Sequence, residues 1–102
     1  MFNSISIYGK VTSTVIYSVG ESGRKSASFY MFISATGGKT ILVNVRGSDA
    51  DIAKSVKKGD KVFVQGTLDY KEVYEAEIGK KHKDFFIAAR HLGCEKEVNN
   101  EQ

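Results

Sequence analysis

The sequence predicts an all-β fold, a small five-stranded barrel with one short helix between its third and fourth strands. Three observations carry this. The strong apolar segments repeat with a period of two, which marks half-buried strands rather than helices. Residues 41–68 interrupt that pattern once, with a short capped segment and a glycine stop between two strands. A chain of 102 residues, without proline, repeats or low-complexity tracts, is one domain with a single core. A plug helix between strands three and four is how a five-stranded OB barrel closes its bottom. OB barrels bind oligonucleotides or oligosaccharides across one face.

Taken in order, Ile5, Ile7 and Val11 alternate with Ser4, Ser6, Tyr8 and Lys10. Thr12 to Val19 stays β-branched and aromatic, so the first strand is either long or a bent pair. Residues 20–25 are a loop by composition. In strand two, Phe29, Met31 and Ile33 form the inner face and Tyr30, Phe32 and Ser34 the outer one. Gly37-Gly38 with Lys39 makes a short hairpin connection. In strand three, Ile41, Val43 and Val45 alternate with Leu42, Asn44 and Arg46.

After Gly47, Ser48 reads as a helix N-cap, with Asp51 placed to reach back to it. Asp49 and Asp51 suit the positive end of the helix, and Lys57 and Lys58 the negative end. Ile52 and Val56 give it one narrow apolar stripe, and Gly59 the left-handed exit. Val62 and Val64 of strand four then face inward, and Phe63 outward. Asp69 to Ala76 alternates less cleanly, Gly79 to Lys83 makes a basic turn, and strand five runs from Phe85 to Leu92. The barrel is expected over residues 1–94, with a polar, disordered tail over 95–102.

Composition is that of an ordinary globular protein, with 41% apolar and 26% charged residues. The net charge of +3 is uneven: residues 95–102 carry −2, which leaves +5 on the body. A basic body is compatible with a polyanion partner. No signal peptide or membrane span is legible, and the single Cys94 fits a reducing compartment, so a cytoplasmic location is expected.

Catalytic chemistry is not expected. There is no Gly-x-Ser-x-Gly, P-loop, His-Glu-x-x-His or Cys-x-x-Cys. His82 and His91, with only Cys94 nearby, make a poor metal set. His82 reads as a solvated loop residue. No metal or cofactor is expected.

What remains is an aromatic and basic surface. Binding a single strand without sequence choice needs rings on which bases stack and cations that follow the phosphates. Tyr30 and Phe32, outward on strand two, either stack on nucleic acid or are covered by a loop or partner subunit. Tyr70 and Tyr74 add rings between strands four and five, where Tyr74 could equally pack the hairpin stem. Lys71, Lys80, Lys81 and Lys83 decorate the same hairpin, and Lys10 and Lys39 the neighbouring strands. An open first strand carrying Ile5 and Ile7, with outward Phe63, points to self-association.

Several stretches resemble, in order, the bacterial-type single-stranded DNA-binding proteins. They are Asn3 to Val11, Phe29 to Ile33, Arg46-Gly47, Ile52-Ala53, Lys58-Gly59 and Val62 to Leu68, and the resemblance covers roughly residues 1 to 93. It implies an OB barrel that coats single-stranded DNA in replication, recombination or repair, as a tetramer or a dimer, with Phe63 packed against another subunit. The alternatives are an OB accessory that mainly contacts protein, and an RNA-binding OB protein. Two departures stand out. Arg46 occupies a position where the family has a stacking aromatic, so it either stacks and contacts phosphate or is simply solvated. Residues 95–102 lack the linker and acidic tip of cellular members, as expected of a short form encoded by phages, plasmids or other mobile elements.

Overall fold

The period-two segments fold as strands whose pairing closes a ring. The computed structural model describes residues 4–33 and 38–95. Its elements are β1 (Ile5–Val11), β2 (Ile16–Val19), β3 (Lys25–Ile33), β4 (Lys39–Arg46), α1 (Asp49–Ala53), β5 (Lys61–Glu75) and β6 (Lys80–Glu95). Around the ring β1 pairs with β5, β5 with β6, β6 with β4, and β4 with β3. The β4–β6 pairing is parallel and the others antiparallel. β3 returns to β1 through Lys10↔Phe32 and Val11↔Met31.

The first of the expected five strands is a bent pair. Both β1 and β2 run beside β3, but Val11 faces Met31 whereas Ile16 faces Ser28. Thr12 to Val15 therefore oppose only Phe29 and Tyr30, a bulge that turns the chain. Ser13 makes up for the broken ladder: its hydroxyl accepts from the Tyr30 amide at 2.9 Å. Gly9 is where β1 slips between its two neighbours, and a Cβ there would meet the Phe32 carbonyl.

The core follows the alternation. Phe29, Met31, Val43, Val45, Val62 and Val64 are all buried, joined by Val11 and Ile87. Ile5, Ile7, Ile33 and Ile41 pack against them at the ends. Gly66 is needed here too: a β-bulge sits between Gln65 and Gly66, and a Cβ would drive into the Ala88 carbonyl.

The plug differs from the expectation in three respects. Its buried face is Ala50 and Ala53, with Val56 buried just beyond its end, while Ile52 is exposed. Small residues let the helix approach the ring closely, so the stripe was set by alanine rather than isoleucine. Ser48 is itself in a helical conformation and makes no side-chain cap bond. Asp51, the residue expected to answer it, instead accepts from Tyr17 and Lys25. The helix also ends by Lys54, before Lys57 and Lys58. Gly59, at φ +99°, does take the left-handed conformation.

The largest departure is the hairpin. Strand five is not Phe85 to Leu92: β5 and β6 run as one ribbon, paired from Lys61↔Glu95 out to Glu75↔Lys80. The turn is only Ala76 to Gly79, so Lys80 to Lys83 are strand residues. Beyond the ring neither ribbon face meets a core, and the apolar alternation that reveals a strand fades. His82 is accordingly a strand residue, with Nδ1 2.7 Å from Glu75 and Nε2 3.0 Å from Asp84. No helix among the described residues is long and apolar enough to cross a membrane. The tail beyond Glu95 and part of the Gly37-Gly38 connection lie outside the described residues.

Candidate nucleic-acid interface

Alternation in β3 and β4 places one set of side chains in the core and the other on an outer face. Cross-strand register then assembles that outer face in rows. Tyr30 pairs with Leu42, and Leu42 with Phe86, a row of two rings and a leucine spanning three strands. The next row is Ser28, Asn44 and Ala88, and the one after it brings Ser26 beside Arg46. On the other side of Tyr30, Phe32 pairs with Thr40 and with Lys10. Tyr30 is 49% exposed, with no aromatic or polar side chain stacked on its ring among the described residues. Phe32 is half-buried and lies against Gly38, so it is a weaker platform than its alternation implies.

β4 and β6 stay paired only from Leu42↔Phe86 to Val45↔Ala89. Past Phe86 the ribbon leaves β4, opening a cleft of about 340 Å³ lined by Tyr30, Leu42, Lys71, Lys83, Phe85 and Phe86 among others. Two surfaces meet there. The outer face continues along the ribbon through Lys71, Asp84, His82 and Lys80. The inner side of the ring continues through Leu68, Tyr70, Phe85, Lys83, Tyr74 and Lys81.

Rings alternate with charged residues on this second surface, where Glu72 is opposite Lys83. Tyr70 and Phe85 lie 5.8 Å apart at 52°, a tilted pair typical of aromatic contacts. The Lys83 ammonium sits 4.6 Å from the Tyr70 ring centre, within cation–π range. Tyr74 is opposite Lys81 and 62% exposed, so it does not pack the stem.

The sequence-predicted residues therefore divide. Lys10, Tyr30, Phe32, Arg46, Lys71 and Lys80 fall on the outer face, while Tyr70, Tyr74 and Lys81 fall on the inner ribbon surface. Lys39 shares the alternation of Ile41, Val43 and Val45, which puts it at the ring's inner rim rather than beside Tyr30. Leu42, Phe85 and Phe86 share these two surfaces and were not among the sequence-predicted residues. Leu42 was legible as outward by alternation, whereas the two phenylalanines were hidden by the bulge in β5–β6, which breaks the period along β6.

The opposite side of the molecule carries the expected self-association residues, with one correction. The Ile5 and Ile7 side chains point inward and pack, partly buried, on the core, so what they offer a partner is their backbone edge. Alternation puts Tyr8 outward instead, directly opposite Phe63. Both are about half exposed. The Tyr8 hydroxyl donates to Glu95, which raises the phenol's pKa above its usual 10.0. Among the described residues, no strand pairs with β1 from Ile5 to Tyr8 on the edge away from β5, and open edges of this kind can take up another strand.

No curated protein sequence matches this chain. Solved structures do. A single-stranded DNA binding protein from Thermus aquaticus superposes with a TM-score of 0.78 at 15% identity, covering 99% of this chain and 44% of that one. A small single-stranded DNA-binding protein from Streptomyces coelicolor gives 0.72 at 21% identity, covering 93% and 96%. The likeness establishes the all-β OB fold. This chain spans less than half of the Thermus protein and nearly the whole of the Streptomyces one. The model of the single-strand binding protein family matches residues 2–94, and the chain belongs to that family.

Proposed function

We propose that this chain binds and coats single-stranded DNA with little sequence preference, in replication, recombination or repair. The observation that carries this reading is the row Tyr30–Leu42–Phe86 on the outer face, with Tyr30 exposed and Leu42 and Phe86 half-buried beside it, opening into a cleft with Lys71 and Lys83. A ring stacks on any base because every base has a π-face, so such a row holds a strand without reading it. The lysines follow the phosphates. The strand ring carries the row, and the ribbon supplies a second set of rings that a longer strand reaches through the cleft. Binding of this kind holds bases unpaired by equilibrium occupancy and needs no catalytic group.

Self-association through the Tyr8–Phe63 side, as a dimer or tetramer, leaves the outer face free and lets several copies hold one strand. The single cysteine of the sequence, Cys94, fits a reducing compartment such as the cytoplasm. Titration with oligo(dT), oligo(U) and duplex of equal length tests the reading. Tight binding to oligo(dT) alone supports it, preference for oligo(U) favours an RNA role, and equal binding to duplex contradicts it.

A further inference from the structure

At the far end of the outer face from the aromatic row lies a basin of about 710 Å³ between the β2–β3 turn and the start of α1. Its lining is unusual in what it contains. Arg24 and Arg46 border it, with Ser18, Ser26 and the side-chain-free Gly20 and Gly47 between them. No carboxylate is among the described residues that line it. Glu21, in the same turn, is not part of the wall. Lys25 also touches the basin, but its ammonium is committed to Asp51 at 2.7 Å. Neither arginine has an ion-pair partner among the described residues. Two guanidinium groups and hydroxyls around an open space, with glycines leaving room for approach, suit a phosphate oxygen and not a cation or an apolar group.

The basin is also continuous with the face. A smaller groove of about 260 Å³, lined by Ile16, Ser28 and Asn44, shares Ser18, Ser26 and Arg46 with it. That groove lies one row from Tyr30 and Leu42. From Leu42 to Arg46 is four residues along β4, about 13 Å at roughly 3.3 Å per residue. The middle row offers only a small side chain, a serine and an amide, so nothing there stacks.

We propose that the Arg24–Arg46 basin clamps the phosphodiester backbone of the strand whose bases stack on the Tyr30 row. This inference rests on the proposed function and divides its labour: stacking at one end, charge at the other. It also decides between the two roles open to Arg46, in favour of phosphate contact over stacking.

The test is the salt dependence of oligo(dT) affinity for wild type, Arg24→Gln, Arg46→Gln, Arg46→Lys and Tyr30→Ala, each confirmed folded by circular dichroism. Each Gln variant should flatten the slope of log affinity against log salt by about 0.7, the value for one phosphate neutralised on a single strand. Arg46→Lys should keep the wild-type slope, because the charge remains. Tyr30→Ala should weaken binding about tenfold or more at every salt concentration without altering the slope. Wild-type slopes in both Gln variants, with binding otherwise intact, would overturn the clamp and leave the proposed function standing. Arg46→Lys weakened as much as Arg46→Gln at unchanged slope would make Arg46 a stacking residue and overturn it likewise. A basin that binds inorganic pyrophosphate through the two arginines, while the oligo(dT) slope ignores them, would be a site for a free phosphate compound and would also overturn it. Failure of folded wild type to bind oligo(dT) at all would remove both readings.

Discussion

Tyr30 and Met31 are neighbours in sequence and opposites in consequence. Met31 is fully buried and Tyr30 half exposed, because successive strand residues point to opposite faces. Met31→Ala should cost about 2–5 kcal/mol of stability through lost burial and a cavity. Tyr30→Ala should scarcely move the melting temperature, yet cost about 1–3 kcal/mol of oligo(dT) affinity. Melting curves for the pair settle which face is which, and a larger loss of stability in Tyr30→Ala would reverse the assignment. Asp51 makes a second prediction at this scale. The Lys25 ammonium, then the Tyr17 hydroxyl, hold its carboxyl below the usual 3.8, and Asp51 in turn raises Lys25 above 10.5. The carboxylate's share of stability is present above pH 3.8 and is lost as pH falls through its lower folded value. The ammonium's share is present below pH 10.5 and is lost as pH rises through its higher folded value. Asp51→Asn should therefore melt below wild type at neutral pH, with the gap closing in acid and shrinking in salt, since the pair is exposed. A gap unchanged from neutral pH into strong acid would mean the carboxylate charge is irrelevant. The sequence named Asp51 as a partner, but of the wrong group: a cap was inferred from local spacing, and a contact from β2 and β3 prevailed.

Among the elements, those with one face on the core were legible and those without were not. β3, β4 and the ring portion of β5 show clean alternation, because burial on one side selects apolar residues at every second position. The outer half of the β5–β6 ribbon lacks that selection, so Lys80 to Lys83 read as a turn although they are paired strand. The closure of the ring depends on two glycines whose role no pattern reveals. A Cβ at Gly9 would meet the Phe32 carbonyl, and one at Gly66 the Ala88 carbonyl. Both obstacles are backbone and cannot swing aside. Gly9→Ala and Gly66→Ala should each destabilise by about 1–3 kcal/mol or more in urea denaturation. Gly23→Ala, in a loop with no atom near its Cβ position, should instead be limited to the cost of its positive φ. Wild-type stability in Gly9→Ala or Gly66→Ala would show that the strands separate more easily there than the register implies.

At the scale of the whole molecule, two faces divide the work. The Tyr30 side is proposed to hold the strand, and the Tyr8–Phe63 side to join copies. Phe63→Asp should lower the mass seen in sedimentation, because a packed contact would have to bury a charge. The fold should survive, since the ring is already outside the core. An unchanged mass in the folded variant would place the contact elsewhere. Of the proposed site, the sequence offered the kinds of residue, rings and lysines, that the two surfaces present. It could not supply their division between two surfaces, which depends on where β6 parts from β4 and on a bulge that shifts the register along β6. The most direct test of the account is the affinity of labelled oligo(dT) for wild type and for the Tyr30→Ala/Tyr70→Ala variant, measured by anisotropy at one salt concentration. With one ring removed from each surface, binding should weaken by about 2–6 kcal/mol while the melting temperature holds. Equal affinities in two folded proteins would contradict the claim that these rings hold the strand.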